Sequence, residues 1–177
     1  MSTDLADRIR SGVRDIPDFP TPGILFRDIT PVLADPVLFG GVVEHFRSRF
    51  EAINPEVIVA IESRGFIVGA PLALALGAGF APIRKPGKLP YQTIRTEYAL
   101  EYGSDALEAH VDAIRPGQRV LVIDDVLATG GTAAAAVGLV QRLGGHVVAC
   151  GFVIELGPLR GRDRLPDLRT ESILIYP

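Results

Sequence analysis

With 177 residues, 47% of them hydrophobic and 22% charged, the chain is large enough to bury one full core and shows no shift in composition that would divide it. Its formal net charge of −3 argues against a nucleic-acid partner, because such surfaces depend on clustered positive charge. The start MSTDLADRIR is polar rather than signal-like, and no apolar run reaches the roughly 18 residues of a membrane span, so a cytoplasmic protein with no membrane partner is expected.

Taken in chain order, residues 4–13 read as a short helix and residues 16–29 as a segment rich in proline and turn residues. Asp35 and Pro36 supply an N-cap and a first-turn proline for a helix reaching about Phe50, with Leu38, Val42, Val43 and Phe46 at helical spacing on its apolar face. Residues 57–61 read as a strand, 65–76 as a helix and 79–84 as a strand. Residues 91–102 read as a β-ribbon or mobile loop, and 105–111 as a short helix or strand. Val120, Leu121, Val122 and Ile123 form the continuous apolar run of a parallel strand covered on both faces. An alanine-rich helix over 133–143 follows, then strands over 147–154 and 173–176. Strands alternating with helices predict an α/β fold with a mostly parallel sheet and right-handed crossovers, in one domain over residues 1–177.

The segment VLVIDDVLATGGT, residues 120–132, carries the most chemistry. Asp124 and Asp125 stand at the carboxyl end of the apolar strand, and Ala128, Thr129, Gly130, Gly131 and Thr132 then lead into a helix. Unpaired N–H groups at a helix start, with two glycines and two threonine hydroxyls, suit an anion of phosphate size. Two carboxylates are wrong for a phosphate but right for vicinal sugar hydroxyls or for an oxygen-coordinated Mg²⁺. A sugar phosphate satisfies both halves. Neither G-x-x-x-x-G-K-[ST] nor a helix-opening G-x-G-x-x-G is present, so nucleoside triphosphate and dinucleotide readings lose their usual support.

Three more segments fall beyond strand ends, where ligands bind in such sheets. Glu62, Ser63, Arg64, Gly65 and Phe66 open a helix and form a second anion site, with an arginine able to grip an oxyanion in bidentate fashion. Arg84, Lys85, Pro86, Gly87 and Lys88 contain both lysines of the chain, which elsewhere uses arginine, so a compact ammonium here points to a polyanion. The stretch YALEYG, residues 98–103, is too polar for core and equally suits an ordinary ribbon. The single cysteine, Cys150, lies in an apolar run and reads as core filler. His45, His110 and His146 are far apart in the chain without a second ligand at metal spacing, so no protein-held zinc site is expected.

The 120–132 segment resembles the 5-phosphoribosyl-1-pyrophosphate (PRPP) motif of the type I phosphoribosyltransferases. Together with FPTPGILFRDITP, ESRGF, IRKPGKLP, YALEYG and IELGPLRGR, in that order, it resembles the adenine-using branch of that family across residues 19–162. The resemblance implies a type I phosphoribosyltransferase fold: a mostly parallel central sheet flanked by helices, a small N-terminal hood over about residues 1–33, a core over 34–177 and a mobile β-ribbon loop. It implies that Asp124 and Asp125 hold the ribose 2′ and 3′ hydroxyls, that Ala128, Thr129, Gly130, Gly131 and Thr132 wrap the 5′-phosphate, and that Arg64, Arg84, Lys85 and Lys88 meet the pyrophosphate. Phe26 would pack on the adenine ring, main-chain groups of Leu25 and Arg27 would read its edge, and Leu156 would close the pocket. Glu101, on the loop covering the site, is the implied proton handler, and with Arg64 and Lys85 makes up the expected catalytic set. Mg²⁺ would be held mainly by the pyrophosphate and ribose hydroxyls, close to Asp124 and Asp125. The Glu62–Ser63 peptide is expected to be cis, and family members are commonly homodimers.

Acceptors other than adenine are disfavoured on particular residues. No lysine follows Lys88 to serve the O6 of a 6-oxopurine, and within the hood stretch FPTPGILFRDITP only Arg27 is available for the carboxylate of orotate. A non-enzymatic PRPP sensor would need a nucleic-acid surface and could dispense with Glu101 and the lysine loop, the opposite of what this acidic chain carries.

Overall fold

A computed structural model describes residues 4–99 and 104–177. Five strands, β3 (Val57–Ile61), β4 (Gly79–Ile83), β7 (Arg119–Leu127), β8 (His146–Leu156) and β9 (Thr170–Tyr176), form one sheet in the order β4-β3-β7-β8-β9. Every neighbouring pair in it is parallel, so each connection must cross a face of the sheet. The helices α1 (Leu5–Gly12), α3 (Pro36–Phe50), α4 (Arg64–Leu76) and α5 (Gly131–Arg142) supply that cover.

Two apolar layers result. Side chains of β3, β7 and β8 alternate between a cluster under α5 (Val59, Val122, Phe152, Leu139) and one under α3 and α4 (Ile58, Leu121, Phe46, Leu72). Covering on both faces is why β7 reads as an unbroken apolar run rather than an alternating one. Cys150 lies fully buried on β8, and burial pushes its thiol up to about 12. At the start of α3 the Asp35 carboxylate accepts hydrogen bonds from the N–H groups of Val37 and Leu38, at 2.8 and 3.1 Å, and Pro36 takes the position where a missing N–H costs nothing.

The turn-rich N-terminal stretch is more structured than its prolines suggest. Strands β1 (Arg14–Pro17) and β2 (Leu25–Asp28) pair antiparallel, and a five-residue helix α2 (Thr30–Ala34) follows. Asp28 ties the pair together: Arg14 Nη2 donates to its Oδ2 at 2.7 Å, while the Thr30 N–H donates to Oδ1 at 2.9 Å. The backbone bond from Thr30 leads the causes that hold this carboxyl below its ordinary value.

Residues 105–111, open between helix and strand in the sequence, belong mostly to strand β6 (Ser104–His110), which pairs antiparallel with β5 (Thr93–Ala99) in a two-stranded ribbon. Cross-strand pairing decides this, and local propensity does not contain it. Strands β8 and β9 start before the predicted bounds, and β8 also runs on to Leu156, because a buried parallel partner carries pairing past the apolar stretch. Among the described residues no helix is long and apolar enough to cross a membrane.

Candidate active site

The carboxyl ends of β3 and β7 open into a cleft of about 520 Å³ whose lining includes Phe26, Arg64, Lys85, Asp124, Asp125 and Leu156. β7 delivers the acidic pair. Both carboxylates are nearly inaccessible, yet among the described residues no buried side-chain polar atom lacks a hydrogen-bond partner. Asp124 Oδ1 accepts from the Asp125 N–H at 2.9 Å. Burial first, and the neighbouring Asp125 charge second, hold the Asp124 carboxyl well above its ordinary range.

Asp125 is bonded instead to Arg64 Nε. That contact exists because α4 begins tight against the end of β7. A Cβ on Gly65 would come within 2.9 Å of Asp124 Oδ1 and 3.0 Å of the Ile123 carbonyl, so only glycine lets the helix start this close. The peptide before it, Glu62–Ser63, is cis.

The loop after β7 is shaped by backbone. Ala128, Thr129, Gly130, Gly131 and Thr132 line a hollow of about 70 Å³ at the start of α5. Gly130 takes a left-handed φ of 79°, and a Cβ there would lie 2.3 Å from the Gly161 carbonyl oxygen. A Cβ on Gly161 would in turn lie 2.3 Å from the Ala128 oxygen. Main chain thus rests directly on main chain between the loop and the single-turn helix Gly161–Arg164.

Behind that turn lies a charged anchor with no forewarning in sequence spacing. Arg162 donates from Nε to Glu155 Oε1 at 2.8 Å and from Nη2 to Oε2 at 2.7 Å, and Ser172 Oγ donates to Oε2 at 2.6 Å. Burial raises the Glu155 carboxyl, but the bonds from Arg162 and Ser172 outweigh it and leave it below its ordinary value.

On the opposite side, Arg84 Nε donates to Glu62 Oε2 at 2.6 Å and its Nη1 to the Lys88 carbonyl at 3.2 Å. Lys85 lines the cleft with its ammonium on Asp105, whereas Lys88 stands exposed outside the lining. The hood contributes Leu25 and Phe26. The Phe26 ring meets Phe19 edge-on at 5.2 Å and has the Arg64 guanidinium 5.3 Å from its centroid. The Arg27 side chain is engaged elsewhere, paired with Asp15 and set 4.1 Å over the Tyr176 ring, so only its main chain is available to a ligand edge. Leu156, at the end of β8, lines the same cleft. Glu101 lies outside the described residues.

One cleft therefore holds an aromatic and aliphatic wall, the acidic pair, Arg64 and Lys85, and it meets the hollow of the glycine loop at Asp124, Ala128 and Thr132. Among the described residues no group of three or more His, Cys, Asp or Glu side chains could hold a metal unaided. Glu155 and Asp105 were not singled out from sequence as site residues. Their partners come from tertiary pairing rather than from any pattern beside them in the chain.

Residues 24–175 match the model of the phosphoribosyl transferase domain. The chain is 54% identical over 171 residues to an adenine phosphoribosyltransferase of Acidothermus cellulolyticus, covering 97% of each. It superposes on the crystal structure of adenine phosphoribosyltransferase from Thermoanaerobacter pseudethanolicus with a TM-score of 0.94 at 48% identity, covering 97% of this chain and 99% of that one. The Saccharomyces cerevisiae enzyme, complexed with an imino-altritol bisphosphate and adenine, gives 0.91 at 41% identity, covering 96% and 98%.

Proposed function

Because this chain belongs to the adenine phosphoribosyltransferases of the phosphoribosyl transferase family, we propose a division of labour among its residues for joining adenine to the ribose 5-phosphate of PRPP. The reaction forms the N9–C1′ bond of AMP as the C1′–O bond to pyrophosphate breaks. Positive charge builds on the ribose ring and negative charge on the departing pyrophosphate, so catalysis consists mainly of stabilising that separation.

Ala128, Thr129, Gly130, Gly131 and Thr132 take the 5′-phosphate, and Asp124 and Asp125 accept hydrogen bonds from the ribose hydroxyls while offsetting the cationic ring. The observation that carries this is the acidic pair lining one cleft with Arg64 and Lys85, while Asp124, Ala128 and Thr132 also line the adjoining hollow of the glycine loop. Arg64, Arg84, Lys85 and Lys88 receive the pyrophosphate charge. Phe26 and Leu156 sandwich the base, and main-chain groups of Leu25 and Arg27 read its edge, which the engagement of the Arg27 side chain supports. Glu101 accepts the N9 proton or holds the base by a hydrogen bond.

The donor set suits a metal carried in by the substrate rather than a resident one, since Asp125 is already paired to Arg64 and, among the described residues, no third His, Cys, Asp or Glu joins the pair. Mg²⁺ would be held mainly by pyrophosphate and ribose oxygens near Asp124 and Asp125, and when bound it neutralises leaving-group charge. Ile67 and Leu74, two turns apart on α4, remain exposed, an apolar face that supports a homodimer. We place the enzyme in the cytoplasm, recovering free adenine in purine salvage, as one domain of hood (about 1–33) and core (34–177).

AMP formation from PRPP and Mg²⁺ with a panel of adenine, hypoxanthine, guanine and orotate tests the acceptor; comparable use of hypoxanthine would overturn the base assignment. For Glu101, the Gln variant separates the two roles. A general base predicts a loss in kcat on the order of 10²-fold that Gln does not restore, and a clamp predicts recovery by Gln.

A further inference from the structure

Two cations that line the cleft, Arg64 and Lys85, and a third beside it, Arg84, each carry a carboxylate: Arg64 on Asp125, Arg84 on Glu62 and Lys85 on Asp105. The pairs are not alike. The Asp125 and Glu62 side chains are 7% and 12% exposed, so removing their cations would strand a desolvated charge. Those arginines bind the carboxylate through Nε, and Arg84 also gives Nη1 to the Lys88 carbonyl, so the planar fork leaves further N–H groups with which to meet a ligand without releasing the carboxylate. Asp105 and Lys85 are 30% and 39% exposed, so water can solvate either partner when they separate. A lysine has one charged nitrogen on a flexible stem, and turning it to an oxyanion means loosening its carboxylate.

Asp105 is also placed for return. Its Oδ1 accepts from the Ala106 N–H at 2.8 Å, which fixes the carboxylate to the ribbon whether or not Lys85 is present. Across the ribbon, where Tyr98 is the register partner of Asp105, the Tyr98 hydroxyl donates to Asp105 Oδ2 and accepts from Lys85 Nζ, each at 3.3 Å. It accepts as well from Thr132 Oγ1 of the phosphate loop, at 3.3 Å. The ammonium group thus has a fixed resting place between β4 and the ribbon.

We propose that Asp105 is a positioning residue that holds Lys85 in the unliganded enzyme and takes it back as pyrophosphate departs, weakening pyrophosphate affinity and speeding its release. The proposal rests on the assignment of Lys85 to the pyrophosphate. Asp105 does not touch the reacting atoms; it sets how much of the Lys85 charge is available to the leaving group.

Calorimetric titration of inorganic pyrophosphate with Mg²⁺, and its dissociation rate by stopped flow, test this on the full-length enzyme. Asp105→Asn should tighten pyrophosphate binding about three- to fivefold, the upper scale of a partly exposed ion pair, and slow its release by a similar factor. Asp105→Ser should act in the same direction, and Asp105→Glu should return both quantities to within about twofold of wild type. A merely structural role predicts weaker binding in all three variants. Unchanged or weakened pyrophosphate binding in both Asp105→Asn and Asp105→Ser overturns the proposal. In a Lys85→Ala background Asp105→Asn should change nothing, and an undiminished effect there shows that Asp105 does not act through Lys85. If Lys85→Ala itself leaves pyrophosphate affinity at the wild-type value, the assignment of Lys85 has failed, a different result from failure of the Asp105 role.

Discussion

In the proposed division of labour, the two ends of the site hold an anion by opposite means. At the 5′-phosphate end the loop from Ala128 to Thr132 uses main chain, a left-handed Gly130 and direct contact with the backbone of Gly161, and carries no cation of its own. At the proposed pyrophosphate end stand Arg64, Arg84 and Lys85, each beside a carboxylate. The phosphate stays on the product while the pyrophosphate must be gripped and then let go. A backbone cradle is preorganised and permanent, whereas paired charges can be exchanged. Permanence suits the first task and exchange the second.

The largest effect should come from breaking the cradle. Gly130→Ala adds a Cβ facing the Gly161 oxygen and forces alanine into the left-handed region, a combined distortion of about 3 kcal/mol. A fall in kcat/KM on the order of 10²-fold is expected, expressed mainly as lost PRPP binding. Steady-state kinetics with varied PRPP measures it, and a wild-type KM would show that the loop does not hold the phosphate.

Asp124→Asn sharpens the comparison, because the acidic pair lies between the two ends. Activity should drop about tenfold or more as a charge opposing the cationic ring is lost. Stability should move the other way. A carboxyl whose folded pKa is raised above 3.8 favours the fold when protonated and destabilises it as pH rises, and the amide removes that penalty. The variant should melt a few degrees higher near pH 8, with the gap closing as pH falls towards about 4, readable by calorimetry.

Arg84→Lys probes the charged end more gently. A lysine can serve Glu62 or the pyrophosphate but not both, so KM for PRPP should rise about fivefold with little change in melting temperature. Equal KM values would mean that the fork geometry is irrelevant there. The smallest effect concerns acid. Glu155 and Asp28 have carboxyls held below their ordinary values of 4.5 and 3.8, so the stability they add is complete above those values and is lost as pH falls through the folded ones. Glu155→Gln should lower the melting temperature near neutrality and narrow its difference from wild type on acidification. Because Arg162 adjoins Gly161, a modest rise in KM for PRPP should accompany it.

Sequence legibility followed the same divide. The apolar run before Asp124, the glycines after it and the Asp35–Pro36 helix start are local statements that physical rules convert into structure, and the buried β7, its loop and α3 stand where the pattern put them. The resemblance of short segments supplied the family. The short strands β1 and β2 escaped because prolines dominate their surroundings and each strand has only four residues, held by tertiary pairs such as Arg14 with Asp28. Asp105 and Glu155 escaped because nothing beside them in the chain announces their partners: ribbon register brings Asp105 beside Tyr98, and the return of the chain from Leu156 brings Arg162 to Glu155. Glu101 rests on resemblance alone.

The lone cysteine has a consequence for how this enzyme meets its chemical surroundings. Cys150 is sealed within β8, and with its thiol pushed up to about 12 almost none of it is thiolate at neutral pH. With one cysteine in the chain, no internal disulfide competes and the native fold offers no nucleophilic sulfur to peroxide or glutathione. The one thiol of the chain is therefore poorly placed for oxidation or alkylation while the protein stays folded. A cysteine introduced on the ribbon would be the sole reactive thiol of the folded molecule, a ready handle for a fluorophore or spin label.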